Sequence, residues 1–142
     1  EISDCKDIRS AYVLYGPDNV LTKYPVHNRL MNKLGDVSRT TNMNGSCALG
    51  LGLVAAGRAD ALIQPLQSPW DWAAGKVILE EAGGKMIFYE MRKTDANSYG
   101  KIIPIQKLEP RHYNPDERTL GFVAANEGLA EEIMKILLEL SE

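Results

Sequence analysis

The segment from Gln67 to Gly84 constrains this chain more than any other. A turn-like Gln67-Ser68-Pro69 leads into Trp70-Asp71-Trp72-Ala73-Ala74-Gly75, and the run closes at Glu80-Glu81-Ala82-Gly83-Gly84. The residues between are good helix formers, and the glycine pair stands where a helix must stop, because glycine takes the left-handed conformation without steric cost. A helix is therefore predicted from Asp71 to Ala82, with Asp71 as its N-cap. Small residues at 73, 74 and 75 let its first turn approach another backbone closely. Apolar runs flank it: Ala59 to Gln64 before it and Lys85 to Tyr89 after it read as strands. Taken alone, Asp71 is a helix cap. A carboxylate fixed on a rigid element also has the chemistry a hard metal ion requires.

The same alternation runs through the rest of the chain. Residues 9–16 carry Ala11, Val13, Leu14 and Tyr15 and predict a buried strand ending at Gly16-Pro17. Pro25 opens a helix with Val26, Leu30 and Leu34 at four-residue spacing, closed by Gly35. His27 within it reads as a surface histidine, since no ligand partner stands at metal spacing. Residues 36–42 predict a short β-branched strand. Ser46 then caps a small, apolar and buried helix from Cys47 to Ala56, with Gly57 behind it. Residues 119–125 read as a strand, and Asn126 caps a last helix over residues 127–140. Residues 1–7 are expected to fray. Residues 90–117 form a long excursion, with a possible short strand at Ile102, Ile103 and Ile105. Arg111 and His112 are expected in a solvated loop. The fold class is α/β: one mixed sheet of about five strands packed by four helices.

A second block agrees with the first: Asn44-Gly45-Ser46-Cys47-Ala48-Leu49, then Val54-Ala55-Ala56-Gly57-Arg58-Ala59-Asp60-Ala61. The two blocks, in this order and spacing, resemble the inositol monophosphatase family. These are Mg-dependent sugar and polyol phosphatases allied to fructose-1,6-bisphosphatase. The resemblance runs from about Ala11 to the C-terminus and covers only half of the family's chain. It implies that residues 1–142 are the C-terminal α/β half of a layered αβαβα sandwich, without the N-terminal domain that cradles the metals. It implies Mg2+ as cofactor, with Asp71 as a metal ligand. It also implies Gly45, Ser46, Cys47 and Gln64 as substrate-binding residues. Gln64 stands where the inositol phosphatases commonly carry a glutamate. An amide both donates and accepts, whereas a carboxylate only accepts, so inositol phosphate gives way to a wider class of phosphorylated sugars and polyols.

The family's remaining metal ligands, a Glu-Glu pair and an Asp-Pro-x-Asp-Gly-Thr stretch, match none of the eight aspartates here. One carboxylate does not hold an array of Mg2+ ions, so the chain alone is expected to be inactive or nearly so. Three readings follow: part of a Mg-dependent phosphomonoesterase, a non-catalytic binding half-domain, or one chain of a two-chain phosphatase. In the second and third, an apolar face is expected to stay exposed where the missing half would dock, with docking to that half or homodimer formation as the outcome. Net charge is -3, with 44% hydrophobic and 25% charged residues. That balance argues against nucleic acid and anionic membranes as partners. No apolar run nears the ~20 residues of a membrane span. Two distant cysteines and no signal-peptide pattern suggest a cytoplasmic location. A start at Glu1 instead of Met is expected of a fragment or processed product.

Overall fold

A computed structural model describes residues 1–16, 25–114 and 120–141. The chain expected to turn at Pro17, the Pro115 turn, the strand start at Thr119, Asp18 and Asp116 lie outside the described residues. Among the described residues, the strands and α-helices in order are β1 (Tyr12–Tyr15), α1 (Pro25–Val37), β2 (Thr40–Met43), α2 (Cys47–Ala55), β3 (Ala61–Gln64), α3 (Pro69–Glu81), β4 (Lys85–Lys93), β5 (Tyr99–Pro104), β6 (Leu120–Ala125) and α4 (Glu127–Leu140). One mixed sheet has the order β2-β1-β3-β6-β4-β5. β1 pairs parallel with β2 and β3, and the pairs β3·β6, β6·β4 and β4·β5 are antiparallel.

The sheet divides the core in two. On one face, Val26, Leu30 and Leu34 of α1 and Leu129, Ile133 and Leu137 of α4 pack on Val13, Tyr15, Ile63 and Val123. On the other, Leu51 and Val54 of α2 and Trp72 and Leu79 of α3 pack on Leu14, Leu62, Phe88 and Phe122. Alternate residues of β1, β3 and β6 serve opposite faces, as the two-residue period of a strand requires. α2 meets α3 where Gly75 faces Leu51, and a Cβ at Gly75 would collide with that leucine.

Several expectations need correction. The sheet has a sixth strand, because β4 runs on to Lys93 and β5 pairs with it as a hairpin. α1 continues past Gly35 to Val37, since a solvent-facing glycine weakens a helix by only about 1 kcal/mol. The second strand therefore starts later, at Thr40. Residues 1–7 are tied down. Ile2 N–H donates to Ala82 C=O, the Ser3 hydroxyl donates to Asp60 at 2.5 Å, and Asn126 Nδ2 donates to the carbonyls of Ser3 and Cys5. The same Asn126 caps α4 through Leu129 N–H, as its sequence position predicts. α2 is buried on one side only, and Leu49 on its other side is exposed.

His27 is not on the surface. It is 1% exposed, with Nδ1 accepting from the Tyr15 hydroxyl at 2.5 Å and Nε2 donating to the Tyr89 hydroxyl at 3.0 Å. Tyr89 in turn donates to the carbonyl of Gln64 at 3.2 Å. Burial drives the imidazole pKa down to about 3 and pushes both phenols up. His112 is likewise buried. Its Nδ1 accepts from Glu109 N–H at 2.8 Å and its Nε2 faces Glu90 at 2.9 Å, so Arg111 and His112 clamp the excursion to β4. Burial acts to raise the Glu90 carboxyl, but hydrogen bonds from His112 and Arg111 outweigh it and hold the group below its usual range.

Candidate active site

Topology places the site. The chain leaves β1 through α1 on one face of the sheet and reaches β3 through α2 on the other, while β1 lies between β2 and β3. The carboxyl ends of β1 and β3 therefore flank a crevice at the point where the winding reverses, which is where open α/β sheets bind ligands. A cavity of about 230 Å3 occupies this point. It is lined by Gly16 after β1, by Asn44, Gly45 and Ser46 after β2, by Cys47 and Ala48 of α2, by Gln64 and Gln67, and by Asp71 of α3.

Each wall has a local cause. Asn44 N–H donates to Tyr15 C=O at 2.7 Å and so prolongs the β1–β2 ladder. Its side chain grips the next turn: Oδ1 accepts from Ser46 N–H and Nδ2 donates to Ser46 C=O at 2.9 Å. Ser46 Oγ then accepts from Leu49 N–H at 3.2 Å, which caps α2 as predicted. The amide groups of Cys47 and Ala48 in the first turn need no intrahelical acceptor and carry the partial positive charge of the helix start. Cys47 is buried, and its thiol is pushed up to about 12 by burial and then by the Asp71 charge. It is a neutral packing group here, not a nucleophile.

Asp71 is not the N-cap of α3. Ser68 is the N-cap, Pro69 follows at the first helical position, and Asp71 lies in the first turn. Its Oδ2 accepts from Ser68 N–H at 3.3 Å. Proline at the first position moves the helix start upstream of the point the aspartate suggests. The half-buried carboxylate faces the cavity with one oxygen bound to the backbone.

Gln64 is 2% exposed and sits at the end of β3 with its amide over Gly16, where any side chain would collide with it. Its Oε1 accepts from Gln67 Nε2 at 3.1 Å, and Gln67 is itself anchored by its N–H on Leu120 C=O. The fold thus brings together all five residues singled out from the sequence: Gly45, Ser46, Cys47, Gln64 and Asp71. It adds Gly16, Asn44, Ala48 and Gln67. Gly16 and Gln67 were discernible only through strand order. Asn44 lies beside the Gly45-Ser46 motif and was discernible as a turn residue.

As a Mg2+ site the cavity supplies one carboxylate, Asp71. Among the described residues no group of three His, Cys, Asp or Glu side chains converges. One carboxylate does not complete a hard-oxygen coordination shell. A larger cleft of about 650 Å3 lies between α3 and the segment after β5. It holds none of the five, and its Lys76 and Lys85 are engaged by Glu80 and Glu127.

Among the described residues no helix is long and apolar enough to cross a membrane. The sequence model of the inositol monophosphatase family matches residues 1–140. The chain is similar to inositol-1-monophosphatase of Bacillus subtilis, 56% identical over 46 residues, which are 32% of this chain and 17% of that protein. It is also similar to fructose-1,6-bisphosphatase/inositol-1-monophosphatase of Thermotoga maritima, 26% identical over 114 residues, 80% of this chain and 36% of that protein. Nus factor SuhB of Escherichia coli is 46% identical over 56 residues, 39% of this chain and 20% of that protein. The structure of inositol monophosphatase from Anabaena superposes with a TM-score of 0.72 at 24% identity, over 99% of this chain and 48% of that one. The chain spans less than half the length of each of these relatives.

Proposed function

Because this chain belongs to the inositol monophosphatase family, we propose that it forms part of a Mg2+-dependent phosphomonoesterase acting on a small phosphorylated sugar or polyol. The observation that carries this reading is the convergence of Asp71, the capped start of α2 and Gln64 on one cavity at the topological switch point. Mg2+ in such a site neutralises phosphate charge and lowers the pKa of a bound water. Asp71 supplies one of its oxygen ligands, and the remaining ligands come from outside the described residues. The first-turn amides of α2 donate to ligand oxygens, Ser46 keeps those amides pointed at the cavity, and Gln64 contacts the substrate from the floor.

The rest of the shell requires a second body, and α2 and α3 offer it a surface. Trp70, Ala73, Ala74, Val77 and Ile78 recur at helical spacing along the outer side of α3, and Leu49 is exposed on α2 beside it. This face suits a sheet layer from the other half of the protein, so residues 1–142 are read as the C-terminal half, with homodimer formation as the other use of the face. Cytoplasmic location stays part of this reading.

The test is phosphate release from inositol, hexose and glycerol phosphates with millimolar Mg2+, by the full-length polypeptide and by the 142-residue chain, each beside Asp71→Asn. The full-length protein is expected to lose at least about 100-fold of its activity in the variant, an interaction made in the transition state being removed, and the shorter chain is expected to show little turnover. Equal rates for Asp71→Asn and wild type would overturn the reading. A non-catalytic binding role would stand if the full-length protein bound these ligands and released no phosphate.

A further inference from the structure

Asp71 stands at the start of a helix that is anchored there by a single side chain. Of α3, only Trp72 and Leu79, two turns apart, are buried, and Trp70, Ala73 and Ala74 around Asp71 are exposed. The first turn of a helix also lacks the intrahelical bonds of its interior. Asp71 accepts from Ser68 N–H at 3.3 Å and donates its own N–H to Ser68 C=O at 2.9 Å, both within that turn. The seat of the turn on the rest of the fold therefore falls to the neighbouring Trp72 ring. Packing holds that ring without a hydrogen bond, since its buried Nε1 has no partner among the described residues. Phe88 of β4 meets it edge-on at 4.9 Å between centroids, and Tyr113 lies at 5.6 Å with the planes tilted by 45°.

Phe88 belongs to the sheet, whereas Tyr113 ends a short 3-10 helix, Pro110–Tyr113, in the segment after β5. That segment crosses the α3 face of the sheet. Ile105 N–H donates to Phe88 C=O at 3.1 Å, and Ile105 and Leu108 pack on the core that contains Trp72. Glu90 fastens it. Two residues beyond Phe88, it projects from the same face of β4, is 6% exposed, pairs with Arg111, and accepts from His112 Nε2 at 2.9 Å. Arg92 stands 3.6 Å from its other oxygen. We propose that residues 105–114 form a strap that positions Asp71: Glu90 clasps Arg111 and His112, and the clasped turn holds Tyr113 against Trp72, so that the first turn of α3 keeps its carboxylate on the cavity. Glu90 and Tyr113 are thus positioning residues, and the long excursion after β4 gains a role, as loops of such length usually have one. What Asp71 binds rests on the phosphatase reading, whereas the order of the turn is a property of this chain alone.

Native-state hydrogen exchange of the 142-residue chain reads the turn directly. The Asp71 amide is expected to exchange about tenfold faster in Tyr113→Ala, which removes one aromatic partner of Trp72. In Glu90→Gln, whose neutral amide binds Arg111 and His112 less strongly, the rise is expected to be about threefold. Tyr113→Phe keeps the ring and should keep the wild-type rate. The Gly84 amide, bonded to Leu79 C=O at 2.8 Å at the other end of α3, is the control for general loosening and should stay within about twofold in all three variants. The proposal is overturned if the Asp71 amide is unchanged in Tyr113→Ala or in Glu90→Gln, if Gly84 accelerates as much as Asp71, or if Tyr113→Phe behaves as Tyr113→Ala. In the full-length protein, the Mg2+ concentration for half-maximal phosphate release from glycerol phosphate should rise about tenfold in Tyr113→Ala, with the rate at saturating Mg2+ kept within about twofold. An unshifted Mg2+ requirement beside a faster Asp71 amide would separate the strap from the site and overturn the proposal. The expected exchange pattern beside a full-length wild type that releases no phosphate would leave the strap standing and remove the phosphatase reading.

Discussion

Replacing His27 by glutamine tests the buried relay beneath the site. In the folded chain the imidazole is neutral, accepting from Tyr15 and donating to Tyr89, and burial lowers its pKa from 6.5 to about 3. Below pH 6.5 the unfolded chain takes up a proton that the folded chain refuses. The contribution of His27 is therefore complete above that pH and is lost as pH falls toward 3. At about pH 5 the unfolded form is stabilised by roughly RT ln(1 + 10^1.5), a loss of about 2 kcal/mol to folding. In the His27→Gln variant that proton uptake is absent, while the new side chain's carbonyl and NH2 can still accept from Tyr15 and donate to Tyr89. The variant should be about 1–2 kcal/mol less stable than wild type near neutral pH through poorer hydrogen-bond geometry. By about pH 5 that gap should shrink by about 2 kcal/mol. Urea unfolding followed by circular dichroism reads this as a change of roughly 1 M in the difference between midpoints. A gap that is the same at neutral and acid pH would mean that His27 is solvated or charged in the fold, and the buried relay would be refuted.

Two further outcomes concern the helical layer. Gly75→Val drives a side chain into Leu51 and should lower stability by about 1–3 kcal/mol. Pairing it with Leu51→Ala should cost less than the sum of the two single changes, and thermal unfolding of wild type, both single variants and the double variant checks this. Val77→Lys with Ile78→Lys charges the exposed side of α3; on the proposal that this face pairs two copies, it should abolish the dimer that wild type forms in sedimentation, with stability changed by no more than about 0.5 kcal/mol. Unfolding of that double variant would instead place the two residues in the core.

Much of the architecture is legible along the chain because it rests on short-range rules. Apolar runs mark β1, β3 and β6, helical apolar spacing marks α1 and α4, cap and glycine signals mark α2 and the end of α3, and Ser46 and Asn126 act as caps where their type and position predict. The expectation for Asp71 shows where a local rule fails: Pro69 makes Ser68 the cap and moves the aspartate into the first turn. Residues 1–7 show another. Their polar character suggests fraying, yet partners up to 123 positions away hold them. The hairpin of β4 and β5 has an irregular register near Lys93, which blurs its alternation in the sequence.

By itself, the sequence determined the α/β class, the family and five of the residues on the cavity wall, because motif chemistry and local periodicity survive without neighbours. Tertiary structure decided the rest. Burial of His27 follows from Tyr15 and Tyr89 arriving from two strands, and a histidine's spacing carries no trace of them. The winding order β2-β1-β3 set Gly16 against Gln64 and so made the crevice. Gln64 meets the Gln67 side chain in the cavity wall because the Gln67 backbone N–H is anchored on Leu120 C=O of β6. Strand order is a long-range property, and spacing along the chain does not record it.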